Sequence, residues 1–497
     1  MTFLVVSYII ATFVGGFGVL ALEMLGSRLL GPYYGNSTYV WGGLLGVIMV
    51  ALAAGYYVGG WLADKKKDPP LVFDFFLYAS HYLIGVLFLY KKLLPTLTSA
   101  GIIWGSILSS AILLGPPMLL LAMVSPVVIK LLAKEETVGI TAGKISAIST
   151  LGSIFGTFVT AFGLIPSQGT FTTLTLVTIS LLTMYIVGAF SSSKPILRVI
   201  TGAVLIGTVL LIPKETNAGN IIFRTESPYN IIMVGRKGNE THLYLNDLRW
   251  IQSRYYEGYL STGGYIDFLL VGKRLADLKD LLILGGGGGA SIRQFLFFAP
   301  QVNIDAVEID PKVVQAGKDY FHLPDDPRLK MYIEDGRTFL NRQQKKYDFI
   351  EVDIFAGGGN VPFYLATREY FQLIINRLNP SGVMALNIIS NNGKKTLAYH
   401  VGNTIASVFP SVYSLDLQNN MLFIATKDKS SIETLLSKLN ADQDDELSGI
   451  MQYAAKILEE YKPQNGFAVF TDDLSPIERV TFNMLKGENT ETQMSMQ

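Results

Sequence analysis

Three carboxylates carry the strongest chemical signal in this 497-residue chain. Glu308, Asp335 and Asp353 each close a short apolar run: Val302 to Val307, Met331 to Ile333 and Asp348 to Val352. Runs of that length bounded by polar turns read as buried strands, and acids at their C-terminal ends would share one edge of a parallel sheet, where open α/β sheets bind ligands. A fourth run, Asp280 to Leu284, leads straight into Gly285-Gly286-Gly287-Gly288-Gly289-Ala290 and then a helix from Ser291 to Phe298. Strand, glycine turn and helix in that order form a nucleotide cradle: glycine lets the backbone approach a ligand and present its N–H groups. Glu308 ends the next strand, where a carboxylate accepts both ribose hydroxyls. Gly285, Gly287 and Ala290 also satisfy the dinucleotide fingerprint, so a nicotinamide enzyme competes with adenosyl-sulfonium binding. Asp335 and Asp353 have no task in a dehydrogenase, which favours the second. Asp353, beside Gly357-Gly358-Gly359, is the candidate base; its bland alternative is a cap on the following turn.

The elements that position these acids form the second half of the chain. Ile231 to Arg236, Thr241 to Leu245 and Leu248 to Ser253 read as an antiparallel meander, and Tyr255 to Val271 as a helix leading into the first parallel strand. Ser475-Pro476-Ile477-Glu478 is a capping box with Pro at the first helical position, sufficient by itself to explain the residues near Asp472 and Asp473.

The first half is different in kind. The whole chain is 49% hydrophobic and 16% charged with zero formal charge, yet only 11 of its 40 basic and 6 of its 40 acidic residues lie up to Pro213. Apolar runs at roughly 3 to 23, 40 to 62, 71 to 90, 101 to 123, 143 to 165, 170 to 190 and 196 to 213 each approach the ~20 residues that span a bilayer as helix. The expected organisation is a polytopic membrane bundle of seven or eight spans (1–213), a small β cap (214–256) and a Rossmann-like α/β domain (257–497). Lys65, Lys66 and Lys67, then Lys130 and Lys134, then Lys194 and Arg198 put their loops and the N-terminus in the cytoplasm by the positive-inside rule. Seven crossings would leave the second half outside, whereas a cytoplasmic nucleotide requires it inside; an extra half-crossing near Pro116-Pro117 would reconcile the two. Glu23 and Arg28 are candidates for an intramembrane or interfacial pair, and Gly55, Gly59, Gly60, Gly143, Gly152 and Gly156 suit close helix packing.

Several classes are excluded. The lack of a clustered basic face argues against a nucleic-acid partner. Without cysteine there is no thiolate site or disulfide frame, and four dispersed histidines make a metal site unexpected.

Further stretches resemble the spermidine synthase family: Leu243-Tyr244-Leu245-Asn246 with Gln252-Ser253, the glycine turn, Val307 to Pro311, Asp325-Asp326-Pro327-Arg328, Glu334-Asp335-Gly336-Arg337, and Tyr347-Asp348 through Asp353. Ala21-Leu22-Glu23, Arg28-Leu29-Leu30, Leu151 to Gly156 and Thr471-Asp472-Asp473 with Pro476 resemble the group in which this domain is fused to a multi-pass membrane bundle. The resemblance implies a class I S-adenosylmethionine-dependent methyltransferase-like fold. It implies that Gly285, Gly286, Gly287, Gly288, Gly289 and Gly336 line the nucleoside with Gln252, that Glu308 binds the ribose and Asp335 the adenine, and that Asp353 serves the attacking amine. Tyr265, Asp267, Asp472 and Asp473 would approach the acceptor. Three departures stand out. Gly288 replaces the Asp that holds the aminopropyl ammonium in polyamine-making members, Ala356 replaces the second acid of D-x-x-D, and Tyr265-Ile266-Asp267 replaces Tyr-His-Glu. Losing acids suits a less cationic donor, so S-adenosylmethionine is expected beside its decarboxylated form as co-substrate, with a methyl, aminocarboxypropyl or aminopropyl group moving to a small amine, polyamine or lipid headgroup. Competing expectations are a true aminopropyltransferase and a transporter or sensor with a non-catalytic domain. The expected setting is the cell membrane, with the lipid bilayer as a partner, the α/β domain cytoplasmic and a homodimer open as the assembly.

Overall fold

The computed structural model describes residues 2–35, 37–65, 71–212, 219–248, 250–353, 361–390, 394–441 and 446–486. Lys66, Lys67, Ala356 and the Gly357-Gly358-Gly359 loop lie outside them. The chain divides into two units, 1–218 with 226–228, and 219–225 with 229–497.

The first unit is helical. Among the described residues, five apolar helical stretches are long enough to cross a membrane: Phe3–Tyr34, Thr38–Lys65, Leu71–Leu113, Gly115–Leu132 and Glu135–Ser191; Pro195–Leu211 is a shorter apolar helix. At 1.5 Å per residue the 43-residue stretch from Leu71 would run ~65 Å, twice a bilayer core. It does not run straight. Gly101 sits at φ 87°, and the helices Leu71–Leu97 and Gly101–Leu113 on either side pack against each other. Gly169 at φ 77° breaks the last long stretch in the same way. At Pro116-Pro117 the backbone stays helical through Leu114 and Met123, so the chain does not turn back there.

Outward apolar side chains such as Val50, Tyr57, Phe162 and Leu211 suit contact with lipid. Close approach explains Gly152 and Gly156, where a Cβ would collide with the backbone of Phe13 and Phe17; Gly60 and Gly143 meet nothing. Arg28 donates to the carbonyls of Ser227 (2.6 Å) and Pro228 (3.0 Å) and lies 4.0 Å from Glu226, which also accepts from the Thr170 N–H and hydroxyl. Arg198 pairs with Asp74 and lies over the Tyr185 ring, 5.0 Å from its centroid.

The second unit begins with a four-stranded sheet in order β1 (Ile221–Glu226), β2 (Ile231–Lys237), β3 (Glu240–Leu245) and β4 (Ile251–Tyr256). Thus the expected meander gains an edge strand. The helix expected over Tyr255 to Val271 does not form. Tyr255 and Tyr256 extend β4, Gly258 and Gly263 take positive φ, and two short helices follow, Tyr265–Leu269 and Val271–Leu275.

An eight-stranded sheet holds the main core. Its strands are β5 (Asp280–Leu284), β6 (Asn303–Glu308), β7 (Leu329–Ile333), β8 (Tyr347–Val352), β9 (Leu378–Ile389), β10 (Ser411–Asp416), β11 (Asn420–Thr426) and β12 (Leu458–Glu460), in the order β12-β10-β11-β9-β8-β5-β6-β7. The strands β7, β6, β5, β8 and β9 are parallel; β11, β10 and β12 add antiparallel pairs. From β5 the chain moves outward to β6 and β7 and then returns to β8 on β5's other side. That reversal opens a crevice beyond the C-terminal ends of β5 and β8, the switch point of a doubly wound fold. Apolar layers cover both faces: Phe339, Tyr370, Phe371 and Phe423 on one, Phe295, Phe349 and Ile292 on the other.

Candidate active site

The glycine turn follows β5 with the geometry its composition requires. Gly285, Gly287 and Gly289 take φ of 95°, 46° and 82°, and Gly289 in the left-handed region precedes the helix Ala290–Phe298. Gly288 is needed for space. A Cβ there would lie 2.9 Å from the Ser253 Cβ and Oγ, because β4 passes directly over the turn. Gln252, half-buried, is the next residue along that strand.

Glu308 ends β6 facing the same turn. Its carboxylate accepts from the Gly287 N–H and the Asp310 N–H, both at 3.1 Å. Burial outweighs those bonds and pushes its pKa up to about 7. Asp335 follows β7 and caps the helix Gly336–Arg342, accepting from the Thr338 N–H at 2.9 Å and from the Tyr364 hydroxyl at 3.0 Å. Capping and a place on the ligand edge therefore coincide in this residue.

Asp353 prolongs β8 by donating its N–H to the Leu284 carbonyl at 2.9 Å, which fixes it at the crevice. Its side chain accepts from the Tyr265 hydroxyl (2.8 Å) and from the Asn387 amide (2.9 Å), and Asn387 in turn accepts from Asn420 at 2.8 Å. Both of these partners are side chains. Burial pushes the Asp353 carboxyl up to about 6, and the Tyr265 phenol is raised well above its ordinary range by burial and by the Asp353 charge.

The other acids expected near an acceptor are occupied otherwise. Asp267 is buried and accepts from the Ser261 hydroxyl, the Thr262 N–H and hydroxyl, the Gly263 N–H and the Gln294 amide, between 2.6 and 2.9 Å. It ties the 261–263 loop to the helix behind Tyr265 and so supports Tyr265. Asp472 forms a bidentate pair with Arg337 (2.7 and 2.5 Å) and accepts from Thr367 at 2.7 Å. Arg337 also donates to the carbonyl of Tyr364, whose hydroxyl reaches Asp335, so Asp472 braces the Asp335 corner from behind. Asp473 is exposed.

Two residues escaped the reading of the sequence. Asn387 is a lone amide in the apolar strand Val383 to Ile389, and Glu351 a lone acid within Phe349 to Val352. Glu351 is 1% exposed and accepts from the Ser291 hydroxyl at 2.6 Å; burial, with the Asp353 charge, pushes it up to about 8. A polar residue inside an apolar run was the available signal for both. Among the described residues no group of His, Asp and Glu is arranged to hold a metal ion.

Comparison with known proteins gives these features a context. Residues 270–418 match the spermine/spermidine synthase domain. A "probable polyamine aminopropyl transferase" of Bifidobacterium longum is 30% identical over 308 residues, 58% of this chain and 68% of that protein. An "eEF1A lysine and N-terminal methyltransferase homolog" of Drosophila melanogaster is 30% identical over 193 residues, 35% of this chain and 28% of that protein. A crystal structure of a probable spermidine synthase from Corynebacterium glutamicum aligns with a TM-score of 0.40 at 18% identity, covering 52% of this chain and 99% of that one.

Proposed function

Because this chain belongs to the spermine/spermidine synthase family, we propose that it transfers an alkyl group, aminopropyl in the first instance, from an S-adenosylmethionine-type donor to the nitrogen of an amine held at Asp353. One observation carries this reading. A buried carboxylate at the switch point of the sheet, clamped by Tyr265 and Asn387, stands on the same strand-end edge as a glycine turn, Glu308 and Asp335.

The chemistry asked of these residues is modest. A sulfonium makes each attached carbon electrophilic, so the protein must align donor and amine and keep the amine unprotonated. Glu308 would accept the ribose hydroxyls, Asp335 the adenine amino group, and the turn's N–H groups would face the nucleoside. An ammonium arriving at Asp353 gives its proton to that carboxylate; the freed lone pair attacks the carbon, and the C–S electrons leave on sulfur as a neutral thioether. A carboxyl near pH 6 is ionised at neutral pH yet basic enough to take that proton in transit.

The second reading concerns the donor and rests on Gly288. With no acid at this position, and Ser253 closing the space a Cβ would need, residue 288 itself does not repel a donor that keeps its own carboxylate. S-adenosylmethionine itself is then admitted, with methyl or 3-amino-3-carboxypropyl as the group moved. The long apolar helices support placement in a bilayer, with the α/β unit on the cytoplasmic side where the donor is made and a lipid headgroup amine as one further acceptor.

Calorimetric titration of the detergent-solubilised chain with S-adenosylmethionine and with its decarboxylated form, with Glu308→Ala as control, separates the readings. Preference for the decarboxylated form, with spermidine formed from putrescine, supports aminopropyl transfer. Preference for S-adenosylmethionine, lost in the control, supports the second. Binding of neither overturns both.

A further inference from the structure

Strand β8 alternates in the usual way, with Ile350 and Val352 in one apolar layer and Phe349, Glu351 and Asp353 on the other side. Phe349 belongs to the core with Phe295, and Asp353 stands at the crevice. Glu351 lies between them. Its register partners on the flanking strands are Ile283 and Ala385, both apolar. From the facing elements come the Ser291 hydroxyl, the Tyr265 phenol and Asp353 itself, while Arg293 of the same helix as Ser291 is turned to the Tyr255 ring and the Phe321 carbonyl. Among the described residues no cation pairs with Glu351. An ionised carboxylate in such a layer, next to a second acid, is costly, and an aliphatic side chain would serve the core better.

A group of this kind is stable in two circumstances, with a proton or with a cation nearby. On the reading of Asp353 given above, a cation arrives with each amine substrate. We propose that Glu351 is a positioning residue for the amine: it keeps its proton in the empty site and releases it to solvent when an ammonium docks against Asp353, so that the second negative charge exists only while the amine is there. The balance is one proton lost for one cation gained. Two anions two residues apart on one strand would repel in the empty site, which keeps the proton on Glu351, and a single cation before them offsets that repulsion. The Ser291 hydroxyl, which can donate to the ionised form, eases the loss of the proton.

The test is calorimetry of putrescine binding to the full chain at pH 7.5, in phosphate and in Tris, whose different ionisation enthalpies report protons released. Wild type should release about one proton more than Glu351→Gln, and its putrescine affinity should be on the order of tenfold tighter. A melting temperature of Glu351→Gln at or above wild type would accord with a carboxyl kept at a cost to the fold. Ser291→Ala is the second variant: losing the hydroxyl should move the pH dependence of putrescine affinity upward. Equal proton release and affinity in Glu351→Gln, or an unmoved pH dependence in Ser291→Ala, overturns the inference. If wild type binds adenosyl donor but no amine, the reading of Asp353 fails and this inference with it. Putrescine binding by wild type with unaltered behaviour of the Gln variant overturns this inference alone.

Discussion

Buried charge is handled in opposite ways at Arg198 of the helical unit and at the ligand edge of the α/β unit. In the helical unit Arg198, 7% exposed, is matched by Asp74 and lies over Tyr185. At the sheet edge of the α/β unit Glu308, Glu351 and Asp353 are withdrawn from water with hydrogen bonds, and among the described residues none has a cation. A matched pair is stable as it stands and asks nothing of a ligand. Desolvation pushes unmatched carboxylates towards their neutral forms, and on the proposed reading a cationic substrate would relieve that burden. On that reading, the difference separates charge that holds the fold from charge that awaits a partner.

The sharpest way to break the comparison is Asp353→Asn. The amide keeps the shape but cannot take a proton, so kcat should fall by about 10²- to 10⁴-fold in a coupled transfer assay while donor affinity stays near wild type. The melting temperature should not fall. The same change at Asp74 should do the reverse: Asp74→Asn removes the charge that matches a buried guanidinium and should cost about 3 kcal/mol of stability, read as a lower melting temperature in detergent, with donor affinity unaltered. If Asp353→Asn destabilises as much as Asp74→Asn does, the carboxylate is structural and the contrast collapses.

How much of this was legible in the sequence follows from the same physics. Acids at strand ends announce themselves because they punctuate apolar runs, so Glu308, Asp335 and Asp353 and the edge they share could be placed before any coordinates. Asn387 and Glu351 sit inside such runs, where the pattern says strand and the eye passes over a single polar residue. What matters about them is which neighbours cross-strand register supplies, Ile283 and Ala385 for Glu351, and no local spacing encodes that. The stretch after Tyr255 misled for a related reason. Its apolar spacing is compatible with a helix, but Gly258 and Gly263 at positive φ and the pull of the meander on Tyr255 and Tyr256 decide otherwise. Asp267 and Asp472 have the right residue type for a site, yet their oxygens are committed to a loop and to Arg337, a distinction visible only in three dimensions.

The pH dependence of stability sharpens the comparison further. Glu308, Glu351 and Asp353 all have folded pKa values raised above the unfolded ones, to about 7, about 8 and about 6. The native state therefore holds more protons than the unfolded chain between pH 4 and 8, and stability conferred by the neutral forms is lost as pH rises through those values. Melting temperature should decline from pH 5 to pH 9 in the absence of amine, and Glu351→Gln should flatten the upper part of that decline. Saturating putrescine should flatten it in wild type as well. A melting temperature that rises over this interval would mean that the three carboxylates are stabilised as anions by groups inside the protein.

The smallest effect tests the cradle itself. Gly288→Ala places a Cβ 2.9 Å from the buried Ser253 side chain, and β4 or the turn must shift by a few tenths of an ångström. A cost of about 1 kcal/mol in donor affinity is expected, since overpacking of a well-filled contact is felt at that scale. Ser253→Gly in the same chain removes the opposing atoms and should restore most of the loss. The rescue matters more than the loss, because it distinguishes a steric cause from a conformational one: Gly288, unlike Gly287 and Gly289, does not take a positive φ. Restoration would show that the turn needs glycine here for β4 to close over it. Failure of Ser253→Gly to restore binding would mean that the alanine methyl meets the Phe321 ring, 3.3 Å away, or the donor itself, and not the strand.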